Sequence, residues 1–436
     1  MRRIFWALLA LFALLSNGFL TGCDVGRPEA IPFRSGELES YTIIYEERNP
    51  DYFDLANRLA DRIYEKYGKM LQVLPDVAAA PGKYEILLGD TNRSDSASRV
   101  MEYSVTVGGG KFIIHVGGTY SAEQAIVFLC EKVFNGQALD LNEGEYYRKS
   151  LLTQAHTLTD GTTARIMTAN LLSDTFADKN WNSAYYRAEI FAGLLVAYTP
   201  DVLGVQEVDA NWNAALDDYL IKLQKAHGIT YTRHLNTYEG KVNYTSLLYR
   251  SDKFQLEDSG VSVFTWWNDP RFGHDYHMRN ITWAQFSSRS EPGKRFIVAN
   301  THWSYRTEHA DNKTYLTGAS KPIATDELRQ QCKNETNTIL TKLKQTKPNI
   351  PIFLTGDFNT SLTFFTQSGW TPSSFTILSE EAAKNGSALS TVPATGHYDH
   401  LFGTGKFTIN RYALIQGSEH IDLLTDHPFA YADVAF

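Results

Sequence analysis

The chain has 436 residues, enough for two to three domains. Hydrophobic residues make up 43% and charged residues 21%, a globular composition that excludes a disordered, collagenous or coiled-coil chain. The net charge of −8 excludes a strongly basic coat for nucleic acid, and three cysteines far apart, without CxxC, argue against a disulfide framework or a structural zinc site. Aromatic residues reach 13%, a load that suits either a sheet-rich protein or a ligand-binding surface.

Met1-Arg2-Arg3 opens the chain, followed by a mostly apolar run from Ile4 to Leu20 and then Leu20-Thr21-Gly22-Cys23. A short basic region, an apolar stretch and small residues form a secretory signal pattern. Its ending resembles a bacterial lipoprotein signal. That resemblance implies residues 1–23 as a signal peptide, with Cys23 lipidated as the mature N-terminus and the protein exported and anchored on the extracytoplasmic side of a cell membrane. The apolar run is short for a spanning helix of about 20 residues. Residues 24–40, with Gly, Pro, Ser and Glu and no clear periodicity, read as a tether.

A first domain reads from 41 to 136. Thr42 to Tyr45 is a strand, and Pro50 to Tyr67 is an amphipathic helix with Leu55, Leu59, Ile63 and Tyr67 at helical spacing. Tyr84 to Gly89 is a second strand. Tyr103 to Val107 and Lys111 to Val116 flank Gly108-Gly109-Gly110 as a hairpin, and Ser121 caps a closing helix that runs to Phe134. Gly109-Gly110-Lys111 is no phosphate loop, because a strand follows where a helix would be needed. The order β-α-β-β-β-α suggests a small α/β sandwich. It looks like the non-catalytic domains beside the catalytic barrel in some bacterial glycoside hydrolases. Residues 137–162 are polar and read as a linker.

Residues 163–436 alternate strands, helices and long loops. Helical periodicity marks Ser183 to Tyr198, Trp212 to His227 and Ala324 to Leu343, and ten of the 12 histidines fall in this part. Polar groups stand at the ends of apolar strands, where α/β folds place their sites. Asn170 ends Arg165 to Asn170, Gln206-Glu207 end Pro200 to Glu207, and Thr301-His302 end Arg295 to His302. Gly356-Asp357-Phe358-Asn359 ends the run from Pro351, and Asp357 and Asn359, two apart, share a face on extended backbone. Asp399-His400 and Asp426-His427 follow.

In this order the elements resemble the endonuclease/exonuclease/phosphatase superfamily, over residues 163–436. The resemblance implies a mixed α/β fold, a four-layer sandwich of two mainly antiparallel sheets flanked by helices, preceded here by the smaller N-terminal α/β domain. It implies a divalent-metal-dependent phosphoesterase. Glu207 would bind Mg²⁺ or Mn²⁺, assisted by Asn170 and Asp426. Asp399 would orient a charged His427 over the phosphate, Asp357 and Asn359 would position the attacking water, and His302 would donate to the phosphate or the leaving group. Phosphoester hydrolysis needs these functions, since the growing phosphorane charge must be neutralised and a water and a proton supplied.

A transition-metal cluster of His302, His397, His400 and His427 with Asp357, Asp399 and Asp426 is the competing metal reading, although neighbours Asp399 and His400 should point to opposite faces of a strand. Two aromatic and polar loops, 265–277 and 303–313, could clamp a base, sugar or lipid headgroup, with Trp267, His277, Tyr305 and Arg306 as candidate substrate contacts. The expected partners are a phosphoester substrate, whether small molecule, lipid or nucleic acid, and the membrane through the lipid anchor. No protein partner is expected. An extracellular nuclease and a non-catalytic surface binding protein are the alternative functions.

Overall fold

In the computed structural model, residues 32–93, 98–154, 156–175, 181–268, 278–304, 325–367 and 375–436 are described. The N-terminal unit holds β1 (Phe33–Arg34), β2 (Thr42–Tyr45), α1 (Tyr52–Tyr67), β3 (Gln72–Pro75), β4 (Glu85–Leu88), β5 (Glu102–Gly108), β6 (Lys111–Val116), α2 (Thr119–Phe128), β7 (Asp140–Leu141) and β8 (Gly144–Ser150). Its six-stranded sheet runs β3-β2-β4-β6-β5-β8, parallel through β6 and antiparallel beyond. Helices α1 and α2 bury Leu55, Leu59, Ile63, Ala122 and Ile126 against Ile43, Ile86, Val105 and Ile114 on one sheet face. Gly109 and Gly110 have φ of 60° and 81°, as a tight hairpin turn demands.

Two readings of this region are corrected. The tether fails from Phe33 onward. Phe33 pairs with Leu141 and packs 4.8 Å from Phe112, and Leu38, in a helical turn over Ser35–Ser40, is fully buried. Two apolar residues in a polar segment carry no period, so only the partner strand a hundred residues away reveals them. The linker reading fails for β7 and β8. β8 closes the sheet edge beside β5, and its mostly exposed residues read as polar loop in the sequence. Strand β3 was not expected at all.

The second unit begins with β9 (Ala164–Asn170), α3 (Ala184–Tyr198), β10 (Val202–Gln206), α4 (Ala210–Lys222), β11 (Tyr231–His234), a short hairpin of β12 (Thr237–Tyr238) and β13 (Lys241–Val242), and β14 (Leu247–Arg250). It continues with β15 (Phe254–Val263), β16 (Asn280–Ser288), β17 (Arg295–His302), α5 (Thr325–Thr346), β18 (Ile352–Asp357), α6 (Leu362–Gln367), β19 (Thr376–Ile377), α7 (Leu378–Asn385), β20 (Asp399–Thr404), β21 (Thr408–Ile415), α8 (Glu419–Leu424) and β22 (Phe429–Ala435). One sheet is ordered β11-β14-β10-β9-β22-β21, the other β15-β16-β17-β18-β20-β19. Each has a single parallel pair, β9 with β10 and β17 with β18, and is otherwise antiparallel.

Alternation along the strands explains the layers. Ile166, Val202, Leu247 and Ala432 meet Phe286, Phe296, Val298 and Phe353 between the sheets. The intervening residues Met167, Leu203, Val205 and Tyr431 face α3, α4 and α8, while Ile297, Ala299, Leu354 and Phe402 face α5 and α6. Strands buried on both faces read as continuous apolar runs. Near the site end the inter-sheet layer turns polar. Gln206 Nε2 donates to Asn300 Oδ1 at 2.6 Å, and Asn300 Nδ2 donates to the carbonyls of Val205 (2.8 Å) and Ser246 (3.0 Å). Gly204 lies so close to Thr355 and Asn300 that a Cβ there would overlap both.

The N-terminal unit docks on α3 and α4. Val100, Met101 and Tyr120 join the core beneath these helices. Both carboxylate oxygens of fully buried Glu189 accept backbone N–H groups of the N-terminal unit, Met101 at 3.1 Å and Ser121 at 3.0 Å. This covering explains why α3 is buried on nearly every side, Arg187 and Glu189 included. The helix flanks the sandwich as expected and is covered in turn by the N-terminal unit.

Candidate active site

The side chains of the site come from the ends of strands in both sheets. Asn170 and Gln206 are partners at the ends of parallel β9 and β10, as are His302 and Asp357 on β17 and β18, and Asp399 pairs with Asp357 across β20. Polar groups at these ends stand outside the inter-sheet apolar core, so they converge at one edge of the sandwich. Two non-glycine residues adopt left-handed backbone there. Glu207, at φ 64°, turns back so that its Oε2 accepts the Ser173 N–H at 2.9 Å. Asn359, at φ 48°, donates its N–H to Asp357 Oδ1 at 2.8 Å. Such strained positions concentrate at functional sites.

Asn170 Nδ2 joins two carboxylates, donating to Asp357 Oδ2 at 3.0 Å and Glu207 Oε1 at 3.2 Å. His302 Nε2 lies 3.2 Å from Asp357 Oδ2 and 4.0 Å from Glu207 Oε1. One donor atom each from Glu207, His302 and Asp357 fall within 4.8 Å of one another, and the same holds for Asp357, Asp399 and His427. His427 Nδ1 bonds Asp399 Oδ2 at 2.7 Å. Among the described residues no lysine or arginine lies within 4 Å of the Glu207, Asp357 or Asp399 carboxylates, which are held by histidines instead.

Burial alone would raise the pKa of every carboxyl here. For Asp357, His302, His427 and the Asn359 N–H overcome it and hold the group well below the usual carboxylate range. Glu207 is likewise lowered against its burial, by His302, the Ser173 N–H and Asn170. For Asp399 burial wins and pushes the carboxyl up to about 7. Burial would lower His427, but the Asp399 carboxylate beside it raises it well above the ordinary imidazole value.

The structure thus brings Asn170, Glu207, His302, Asp357, Asp399 and His427 together. Asn359 sits beside them, with Nδ2 donating to the Trp303 carbonyl at 2.9 Å and lying 3.4 Å from Asp357 Oδ2. Asp426 lies at the rim of the site. Its side chain is 59% exposed, with Oδ1 3.9 Å from His427 Nε2, on the open side of the Glu207, His302 and Asp357 cluster. The histidine-rich cluster does not form. His400 Nε2 bonds the Thr360 carbonyl at 3.1 Å on the opposite face from Asp399, and His397 packs edge-on against His400. Cys23, His277, Tyr305 and Arg306 lie outside the described residues, as does the side chain of Trp267.

Asp209 was missed. Its Oδ1 caps α4 by accepting the Trp212 N–H at 3.0 Å, while Oδ2 accepts from Ser173 Oγ (2.7 Å), Thr175 N (2.7 Å) and Thr175 Oγ1 (2.9 Å). It therefore fixes the loop whose Ser173 N–H orients Glu207. The available signal was an Asp just before the helix, the usual cap pattern.

A model of the Endonuclease/Exonuclease/phosphatase family matches residues 167–427, and the chain belongs to that family. Its sandwich and mixed α/β architecture are those of the family's phosphoesterase-type fold. Similar solved structures include an endonuclease/exonuclease/phosphatase from Bacteroides vulgatus, at 21% identity and TM-score 0.46, over 63% of this chain and 98% of that one. A mannosyl-6-phosphatase from Bacteroides thetaiotaomicron aligns at 16% identity and TM-score 0.44, over 63% of this chain and 100% of that one. The human Nocturnin catalytic domain with bound sulfate aligns at 17% identity and TM-score 0.46, over 64% of this chain and 96% of that one. No curated protein matches the chain.

Proposed function

We propose that this protein is a divalent-metal-dependent phosphoester hydrolase, exported and held on the extracytoplasmic side of a membrane by a lipid on Cys23. The convergence of Asn170, Glu207, His302, Asp357, Asp399 and His427 from strand ends of both sheets at one end of the sandwich carries the catalytic part. The Leu20-Thr21-Gly22-Cys23 ending supports the tether. Among the described residues no helix is long and apolar enough to cross a membrane.

The donor set fits a hard cation. Among the described residues, these three buried or half-buried carboxylates have no lysine or arginine within 4 Å, and their oxygen donors suit Mg²⁺ or Mn²⁺. Glu207 and Asp357 would hold the ion, with His302 at its edge and Asn170 fixing both carboxylates. Bound there, it would supply positive charge to a phosphoryl oxygen.

The chain's own groups supply the rest. His427, its Nδ1 donating to Asp399, keeps Nε2 free to donate to a phosphoryl oxygen and remains charged to higher pH than an ordinary imidazole. Asp357 stays ionised, with the Asn359 N–H fixing one oxygen, and can accept a hydrogen bond from the attacking water. So depressed a carboxylate orients water more effectively than it removes a proton. The test is hydrolysis of p-nitrophenyl phosphate and bis-(p-nitrophenyl) phosphate with Mg²⁺, Mn²⁺ or EDTA, alongside Glu207→Ala and His427→Ala. Metal-dependent turnover abolished in both variants is expected, and the diester-to-monoester ratio sets the substrate class. Turnover that persists in EDTA, or in either variant, would overturn the assignment.

A further inference from the structure

The N-terminal sheet has a second face that its helices do not cover. Along β5 and β6 the core-facing residues are Tyr103, Val105, Val107, Phe112, Ile114 and Val116. Their neighbours project the other way, and the pairing sets them in rows. Arg148 of β8, Ser104 of β5 and His115 of β6 are direct cross-strand partners, and Glu145 pairs with Thr106 in the next row. Side chains so paired stand on one face about 5 Å apart. A polar outer face is ordinary for an antiparallel edge. This one is instead hollowed into a cavity of about 240 Å³, walled on one side by Ser98 and Arg99.

The cavity is built rather than merely wet. Ser98 is 8% exposed, and its hydroxyl is buried without a hydrogen-bond partner at the cavity wall. Arg99 is fixed from the catalytic unit, donating to the Ala226 carbonyl at 3.3 Å and contacting His227 Nδ1 at 3.3 Å. Glu102 sits between the two guanidiniums, 3.8 Å from Arg99 Nε and 3.8 Å from Arg148 Nε, which is ion-pair distance but too long for hydrogen bonds. Arg148 Nη2 bonds Glu145 Oε2 at 2.9 Å. Thr106 Oγ1 and His115 Nε2 are 3.2 Å apart, and burial lowers the His115 pKa, so its ring is a neutral donor and acceptor.

This lining selects its ligand by exclusion. Two arginines balance two glutamates, so neither an anion nor a cation gains net attraction. Tyr103 also borders the cavity, but it is 3% exposed and packed against Tyr147, so among the described residues no broad aromatic face is offered to a flat ring. The volume is below the about 300 Å³ at which pockets for larger ligands begin. What remains is a small neutral molecule whose groups donate and accept together. A vicinal diol does this, accepting from a guanidinium while donating to a carboxylate. We infer that this cavity is a binding site for a single neutral sugar unit, presented on the accessory domain away from the catalytic residues.

The test titrates the full chain with glucose, galactose, mannose and N-acetylglucosamine, and separately with sodium phosphate, followed by saturation-transfer NMR. At least one sugar is expected to bind, and Arg148→Ala and Ser98→Val should each weaken it about tenfold, the cost of one good hydrogen bond to a charged or buried group. The Arg148 side chain is 56% exposed, so its removal should leave the melting temperature unchanged and separates ligand loss from unfolding. Absence of transfer to every sugar, sugar binding undiminished in Arg148→Ala, or phosphate binding that Arg148→Ala abolishes would each overturn the inference.

Discussion

At the scale of single residues, the His427–Asp399 pair carries the sharpest consequence. Asp399 is fully buried and holds Nδ1 at 2.7 Å, and its carboxylate raises the His427 pKa against the lowering effect of burial. A raised folded pKa means that the imidazolium, and any activity that needs it, is present below that pKa and lost as pH rises through it. In Asp399→Asn the largest raising charge is gone, leaving only the weaker pull of Asp357 and Asp426 against burial. The alkaline limb of kcat/KM should therefore move to lower pH, and kcat should fall about 10²–10⁴-fold, the usual weight of a positioned proton donor. A pH–rate profile checks this, and an alkaline limb at the wild-type position would show that His427 does not need its charge. The family resemblance implied this pair, Asp399 to His427. The two Asp-His dipeptides by themselves do not say which Asp serves which His. Asp399 on β20 reaches His427 Nδ1 from the opposite sheet, while Asp426, its chain neighbour, stays 59% exposed with Oδ1 3.9 Å from Nε2.

At the scale of elements, the strands that carry the site were readable because each is an apolar run ending in a polar group, and burial on both faces is what that pattern records. The loops were not. Asp209 shows why, since its cap contact with Trp212 is local, while its grip on Ser173 and Thr175 spans 36 and 34 residues. Asp209→Asn separates the two roles. The amide oxygen can still cap α4, but an amide N–H₂ at the Oδ2 position would meet the Thr175 N–H donor to donor. The loop should loosen, the Ser173 N–H should release Glu207, and the metal concentration for half-maximal hydrolysis should rise about tenfold. The melting temperature should change little, since losing a cap outright costs about 1 kcal/mol and here the cap persists. Metal titrations of activity beside thermal melts decide it. A lower melting temperature with unchanged metal dependence would reduce Asp209 to a helix cap.

At the scale of the whole molecule, the two units were visible as a change of pattern, but their union was not, because docking contacts join residues with no sequence relation. Helix α3 is the clue that can be read backwards, since its outer face is buried because Met101 and Tyr120 cover it. Glu189 sits on that face with both oxygens accepting backbone N–H groups from the N-terminal unit, and half-buried Lys222 adds its charge nearby. Glutamine at 189 keeps the shape but turns one acceptor into a donor facing an N–H, which costs about 1–3 kcal/mol at a buried site. The tryptophans offer a clean reporter. Apart from Trp6, all lie after residue 163, so their fluorescence follows the catalytic unit, whereas far-ultraviolet circular dichroism follows both. In the wild type the two melts should coincide, as cooperative unfolding of a docked pair requires. In Glu189→Gln the dichroism melt should begin at lower temperature than the fluorescence melt. Coincident melts at the wild-type temperature would mean that the surrounding apolar contacts alone hold the units together.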